Sequence, residues 1–431
     1  MTIATTLEAQ YNTPEIKRRD WRVISLIGIA HSCSHFFQLV IPTLYVFLAH
    51  EFGYDFVLLG GLATAFFVVS GLGQASSGFV VDRIGPTPVL HFGLGCFVVA
   101  GVLIGLADSY AMLLLAAVIG GMGNSVFHPV DYSIINHRVS PPRLGHAFSV
   151  HGLTGNLGWA LAPLFITGIG LYASWRVAAF SASAMIAVVL LMTILGRNLL
   201  SGSAIADAAP DREAEPSEQA STDLSQQSIG QTLITLGSQP ALWGAFLFFA
   251  ASSVALSSVQ NYTIPMLGEV YGINRVLAGS ALSGYMVAAA VGMIAGGFLV
   301  GATAKTERIV FISLVAAGLM LVLLASGILP PYFAMVTVGL AGFCSGVASP
   351  SRDMLIRSVT PKGATGTVYG LVYSGMDVGA SFAPLLFGIM LDSGLTRGPL
   401  VGAAVAFCLS AALAVWVASQ ATQTTSVAAK A

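Results

Sequence analysis

Two histidines in the first long apolar stretch could carry protons or bind a ligand. His31 and His35 are four residues apart, so on a helix they share one face. An imidazole gains and loses its proton near neutral pH, so this pair predicts proton coupling or substrate binding. Two alternatives remain: the rings are hydrogen-bonded packing residues, or they hold a transition metal. No thiolate or carboxylate ligand is evident beside them, so we expect no metal site and no cofactor.

Polar side chains also interrupt later apolar stretches. If those stretches cross a membrane, each ionisable group costs about 2.5–3.5 kcal/mol to insert and should face water, substrate or a partner. Asp377 is the lone carboxylate expected to couple to protons, with a hydrogen-bonded helix contact as the alternative. Arg352 either contacts an anionic substrate through its planar fork, pairs with Asp353, or acts as a cytoplasmic anchor. The predicted pathway residues are His31, His35, Gln38, Asn124, His128, Asp131, His151, Gln260, Asn261, Tyr262, Arg352, Asp353, Tyr373 and Asp377.

The apolar stretches themselves indicate a membrane protein. Of the 431 residues, 55% are hydrophobic and 9% are charged, whereas a soluble domain carries about 25% charged residues. About twelve stretches are each long enough to cross a hydrocarbon core of about 30 Å as a helix. This composition excludes an ordinary soluble enzyme, and a net charge of −1 gives no reason to expect a nucleic-acid partner. The expected fold class is an all-α membrane protein with twelve transmembrane helices in two pseudo-symmetric six-helix bundles.

The distribution of basic residues predicts how these helices are oriented. Of the 18 lysines and arginines, fourteen fall on the side of the amino terminus, three fall on the other side and one lies within a span. The positive-inside rule then places both termini in the cytoplasm of a multi-pass inner-membrane protein, and no cleavable signal is evident. We expect a cytoplasmic amino terminus over 1–22, a first bundle over 23–197, a flexible cytoplasmic linker over 198–235, a second bundle over 236–419 and a cytoplasmic tail over 420–431.

The two predicted bundles repeat one another in sequence. The segment from Pro129 to the Leu-Ala-Pro-Leu run at 161–164 runs parallel, 221 residues apart, to the segment from Pro350 to 382–385. Repeats of this size predict a substrate pathway between the halves, near the midplane. Asp131 and Arg352 occupy equivalent places, so we expect them on opposite sides of that pathway. There they either pair with each other or each await a substrate group.

A short motif follows the second apolar stretch. The pattern Gly78-x-x-x-Asp82-Arg83-x-Gly85 resembles the signature that the major facilitator superfamily carries between its second and third helices. The resemblance implies that Gly78 allows close helix approach, while Asp82 and Arg83 latch the inward-closed state. The alternative is that the two charged residues are a solvated loop pair.

Two further stretches narrow the resemblance. Residues Asn124–Pro129, with Gly145–Ser149, resemble the fosmidomycin-resistance type of bacterial exporters, and Gly158–Pro163 loosely resembles the signature of drug/proton antiporters. The resemblance implies a non-enzymatic, monomeric secondary transporter that works by alternating access in the lipid bilayer. Its expected activity is proton-coupled export, by antiport, of a small organic compound that is anionic or drug-like. Proton-coupled uptake of a small organic acid and a transporter-fold sensor are the alternatives.

Overall fold

The computed structural model describes residues 11–201, 239–302, 305–359 and 365–428. These residues contain twelve helices long and apolar enough to cross a membrane, which confirms the predicted fold class. Most of the predicted linker over 198–235 lies outside the described residues. The helices are α1 (Pro14–Phe52), α2 (Phe56–Ile84), α3 (Pro86–Leu106), α4 (Tyr110–Arg138), α5 (Leu144–Tyr172), α6 (Trp175–Leu195), α7 (Pro240–Tyr271), α8 (Arg275–Ala302), α9 (Thr306–Ser326), α10 (Pro331–Val359), α11 (Thr365–Asp392) and α12 (Gly398–Ala428).

The first helix begins earlier than the apolar pattern indicates. α1 starts at Pro14, where the missing N–H of proline costs no helical hydrogen bond. The Thr13 hydroxyl oxygen accepts the N–H of Ile16 at 3.3 Å and so caps the helix. At the other end of the chain, α12 continues to Ala428. The predicted boundaries at residues 22 and 420 therefore separate polar from apolar sequence. They are not helix ends, because α1 crosses the first boundary and α12 crosses the second.

α4 is interrupted in its middle by a proline. It consists of the helical segments Tyr110–Asn124 and Phe127–Arg138. Pro129 has no N–H, so the carbonyl of Ser125 loses its usual partner four residues along. The hydroxyl of Ser77 on α2 donates a hydrogen bond to that carbonyl at 3.1 Å. A neighbouring helix thus satisfies the backbone group that the break exposes.

α1 is interrupted in the same way, directly after one predicted pathway residue. Its segments are Pro14–Gln38 and Val40–Phe52, and Pro42 cannot donate to the carbonyl of Gln38. The repeat counterpart of Pro129 behaves differently, because Pro350 lies inside α10, which stays helical on both sides of it. The two halves therefore repeat in sequence at Pro129 and Pro350, but only α4 is interrupted there and α10 is not.

The chain divides by its internal contacts into two compact units. Unit 1 comprises Met1–Leu44 and Ala65–Ser217, and unit 2 comprises Tyr45–Thr64 and Glu218–Ala431. In unit 1, α1 packs on α5, and α3 packs on α6 and α4. In unit 2, α7 packs on α11 and α12, α8 packs on α10, and α9 packs on α10 and α12. The last turns of α1 and the first turns of α2 thus group with α7 to α12, and the bundle limits at 197 and 236 stay a prediction.

Two glycines let α1 and α5 approach closely. A Cβ atom at Gly158 would collide with the backbone carbonyl oxygen of Ser32, and one at Gly155 would lie 2.9 Å from Cε1 of His35. Small residues on one helix face allow this approach in membrane bundles. The contact places the histidine-bearing face of α1 directly against α5.

We expect Gly158→Val to lower the melting temperature of the purified protein, or to prevent its folding. The added side chain must push α1 away from α5, and overpacking of this kind costs about 1–3 kcal/mol. Gly168→Val is the matched control, because it lies on the same helix and no described atom is within 4 Å of a Cβ built there. Thermal unfolding in detergent checks this, and equal melting temperatures for the two variants would contradict it.

Candidate functional site

Four histidines and one aspartate come together in unit 1. α1 contributes His31 and His35, α4 contributes His128 and Asp131, and α5 contributes His151. The rings of His31 and His151 stack with centroids 3.6 Å apart and planes inclined by 24°. The centroid of the His31 ring also lies 4.6 Å from that of His35 and 5.8 Å from that of His128. The structure therefore assembles five of the predicted pathway residues from three helices.

The Asp131 carboxylate is the centre of this histidine cluster. Its Oδ2 lies 2.9 Å from Nδ1 of His31 and 3.1 Å from Nε2 of His151. Asp131, His31 and His151 expose only 0%, 2% and 5% of their surfaces. A buried carboxylate needs partners, and two imidazoles from separate helices take that place. The sequence showed no carboxylate close to His31 along the chain. The structure brings Asp131 of α4 beside it.

A second polar network joins four helices next to the break in α4. The side-chain oxygen of Asn124 accepts hydrogen bonds from Ser34 at 2.8 Å and from Gln38 at 2.9 Å. The Asn124 amide nitrogen donates to Ser70 at 2.7 Å, and the Trp159 indole donates to Gln38 at 2.9 Å. The sequence had indicated Gln38 and Asn124 only. Position Ser34, one helical turn before Gln38, was the available signal for the wider network.

Three predicted residues of unit 2, Arg352, Asp353 and Tyr373, form a cluster with an aromatic ring. Nε of Arg352 donates to Asp353 at 2.9 Å, and the guanidinium carbon lies 5.1 Å from the centroid of Phe249 on α7. The Tyr373 ring lies 4.6 Å from Phe249, and its hydroxyl donates to Asp353 at 3.5 Å. Asp377 follows Tyr373 by one turn on the same face of α11. Phe249 was not predicted, since one phenylalanine among many apolar residues carries no signal.

The predicted polar residues of α7 lie elsewhere in unit 2. Gln260, Asn261 and Tyr262 are buried. Asn261 accepts a hydrogen bond from Tyr45 at 3.1 Å, and the Tyr262 hydroxyl donates to the carbonyl of Pro384. At 1.5 Å per residue, Asn261 is about 18 Å along the helix from the ring contacted by Arg352. The structure thus does not bring these residues together with Arg352, and they pack in the core instead.

The predicted gating motif spans the end of α2 and the turn that follows. Gly85 has φ of +83°, a conformation that favours glycine, and it connects α2 to Pro86 at the start of α3. Arg83 is exposed, while the side chain of Asp82 lies outside the described part of the structure. No described atom is within 4 Å of a Cβ built at Gly78. The structure therefore explains Gly85 by the turn, and the latch stays a prediction.

One carboxylate that the sequence did not indicate caps a helix. Asp392, at the end of α11, accepts the backbone N–H of Phe56 at 2.9 Å and that of Val57 at 2.6 Å. Both N–H groups belong to the first turn of α2, where a negative charge is stabilised by the helix dipole. The contact links two segments of unit 2 that are far apart in the chain.

Comparisons with known proteins place these features in a family. The fosmidomycin resistance protein of Escherichia coli (strain K12) is 34% identical over 179 residues, covering 41% of this chain and 44% of that protein. The chain thus matches less than half the length of this relative. The probable nitrate/nitrite transporter NarK2 of Mycobacterium tuberculosis is 25% identical over 337 residues, covering 75% of this chain and 78% of that protein.

The fold and the family model agree with these relatives. The crystal structure of a bacterial homologue of the human lysosomal transporter Spinster, in an inward-facing and unoccupied conformation, matches with a TM-score of 0.69 at 17% identity. The match covers 94% of this chain and 96% of that chain, and at this identity it shows the fold alone. The model of the Major Facilitator Superfamily matches residues 27–329 and 251–430. The chain therefore belongs to the Major Facilitator Superfamily of membrane transporters.

Proposed function

We propose that this protein is a proton-coupled secondary transporter that exports a small organic anion across the bacterial inner membrane. The observation that carries the proposal is the arrangement around Tyr373 in unit 2. Arg352 supplies a cation, and Asp377 supplies a carboxylate one turn from Tyr373. A transporter that exchanges an anion for protons needs a group to bind each of them.

The surroundings of Arg352 support an anionic substrate. Its side chain is 23% exposed and lies over the ring of Phe249. Nε is engaged by Asp353, and the planar guanidinium carries further N–H groups that suit two oxygens of a carboxylate or phosphonate. The mycobacterial relative is named as a transporter of nitrate and nitrite, which are both anions.

The position of Asp377 supports proton coupling. α11 packs on α7 and α12, and neither of these helices contains a lysine, arginine or histidine. Arg352, on α10, donates to Asp353 and not to Asp377. An ionised carboxylate inside a membrane is costly without a cation. We therefore expect Asp377 to take up a proton in one part of the transport cycle and to release it in another.

The direction of transport is part of the same proposal. Export is supported by the similarity to the fosmidomycin resistance protein, and uptake of a small organic acid is the alternative. The positive-inside pattern supports cytoplasmic termini. The expectation that His31 and His35 couple to protons stays a prediction, and the proton proposal does not depend on it.

Substrate-induced proton movement in proteoliposomes tests the proposal. The purified protein is reconstituted with a pH-sensitive dye inside, and methylphosphonate, benzoate and ethidium are added in turn; protein-free liposomes correct for acids that cross unaided. We expect at least one of the anions to change the internal pH in a protein-dependent way, and ethidium to have no effect. A response to the cation alone would overturn the anionic substrate, and substrate flux without a pH change would overturn the coupling.

A further inference from the structure

The centre of the histidine cluster has the dimensions of a metal site. His31, Asp131 and His151 each offer one ligand atom, and these three atoms all lie within 4.8 Å of one another. Ligand atoms about 2.0–2.1 Å from a tetrahedral ion such as Zn²⁺ are separated from each other by about 3.3–3.4 Å. The two measured separations from Oδ2 of Asp131, 2.9 Å and 3.1 Å, are a few tenths of an ångström shorter, so an ion would move these side chains slightly apart. Three candidate ligands from three helices are therefore close enough to bind one ion after small side-chain movements.

An unsatisfied oxygen points to the same place. Oδ1 of Asp131 is buried and forms no hydrogen bond with any described residue. Buried polar atoms of this kind usually have a partner. A cation bound by the carboxylate and by the His31 and His151 imidazoles would satisfy this oxygen, once the two stacked rings turn so that both nitrogen lone pairs aim at the ion. This observation is independent of the ligand spacing.

The surroundings supply a further candidate donor. Tyr132 on α4 is 43% exposed, and its ring lies 5.3 Å from that of His151. Nδ1 of His35 is also buried without a hydrogen-bond partner among the described residues. The ring centroids of His31 and His35 are 4.6 Å apart. His35 can thus support the site or complete its coordination.

We propose that His31, Asp131 and His151 bind one divalent transition-metal ion. Two imidazole nitrogens and one carboxylate oxygen suit Zn²⁺, Co²⁺ and Ni²⁺ better than Mg²⁺ or Ca²⁺, which prefer oxygen ligands. Three protein ligands leave at least one coordination position open. The expectation of no metal site, which depended on the apparent lack of a carboxylate near His31, is revised accordingly. An ion at this position ties α1, α4 and α5 together within unit 1.

Titration with Co²⁺ tests the site without any transport measurement. The full chain is purified in detergent, freed of any affinity tag and of bound metal, and its visible absorption is followed as Co²⁺ is added. We expect one Co²⁺ per chain, displaced by Zn²⁺, which binds nitrogen and oxygen ligands more tightly, and unaffected by excess Mg²⁺. His31→Gln, Asp131→Asn and His151→Gln should each weaken Co²⁺ binding at least tenfold. His137→Gln, an exposed histidine on α4, is the matched control and should bind as the wild type does.

A second measurement covers variants that do not fold. X-ray absorption of the wild-type Co²⁺ complex should show two imidazole ligands and at least one oxygen. Absence of stoichiometric Co²⁺ binding by the wild type, or a bound ion without imidazole ligands, would overturn the proposal. The proposal would also be overturned if the His31, Asp131 and His151 variants fold and bind Co²⁺ as tightly as the wild type does.

Discussion

Asp377→Asn is expected to abolish pH-driven substrate accumulation in proteoliposomes while substrate exchange across the membrane continues. The amide has the shape of the carboxylic acid but cannot release a proton, so the conformational cycle loses its driving ion. A gradient of one pH unit, coupled to one proton, can sustain about a tenfold substrate gradient, because 1.4 kcal/mol corresponds to a factor of ten. We expect the variant to reach equal concentrations on both sides.

The matched control for this prediction is Ser381→Ala. Ser381 lies one turn beyond Asp377 on the same face of α11, and its hydroxyl donates to the backbone carbonyl of Asp377 at 2.7 Å. The alanine variant removes a polar group next to the carboxylate and should accumulate substrate like the wild type. If Asp377→Asn accumulates substrate as the wild type does, Asp377 is not the coupling group. If exchange also disappears while the protein remains folded, the residue acts in binding or packing.

Arg352→Lys is expected to weaken binding of the anionic substrate about thirtyfold. Lysine keeps the charge but loses the planar fork and its contact with the ring of Phe249. Loss of one hydrogen bond to a charged group costs about 1.5–3 kcal/mol, and 2 kcal/mol corresponds to a factor of about thirty. The substrate dependence of exchange in proteoliposomes, measured at saturating and limiting concentrations, reports this change.

Asp353→Asn distinguishes substrate binding from a structural ion pair. Asp353 is 48% exposed and accepts the Nε–H of Arg352 at 2.9 Å. If Arg352 binds the anion, removal of the competing carboxylate should leave substrate affinity unchanged or raise it. If the two residues only stabilise unit 2 together, both variants should lower the melting temperature alike and impair exchange alike. Equal losses in the two variants would therefore reject the substrate-binding role of Arg352.

Much of the fold could be predicted from local patterns. Twelve apolar stretches of sufficient length become twelve helices, because a chain in lipid must satisfy its backbone hydrogen bonds within each segment. The ends were less predictable. The helix from Pro14 continues through polar sequence, since the Thr13 cap and the intrinsic helical propensity act independently of lipid. The interruption of α4 at Pro129 could have been expected from proline chemistry, whereas the uninterrupted α10 around Pro350 could not.

The candidate sites could also be predicted only in part. Local sequence patterns indicated single polar residues, but contacts between residues far apart in the chain were not predictable. The sequence indicated that His31 and His35 share a helix face, and that Asp131, Arg352 and Asp377 are costly inside a membrane. It did not indicate that Asp131 lies between His31 and His151, or that Phe249 lies beneath the Arg352 guanidinium. Neither pairing leaves a periodic signal, because each joins residues from separate helices.

The sequence by itself determined the membrane environment, the number of spans, the family resemblance and the polar residues that lipid cannot accommodate. Each of these follows from hydropathy and spacing within one segment or from a short motif, and the sequence alone identifies which polar groups would be costly to bury without a partner. Only the tertiary structure decided which of those groups are neighbours. Helix contacts such as the one at Gly158 depend on packing between segments far apart in the chain. That packing places the Asp131 carboxylate between two imidazoles and so creates the site proposed here for a metal ion.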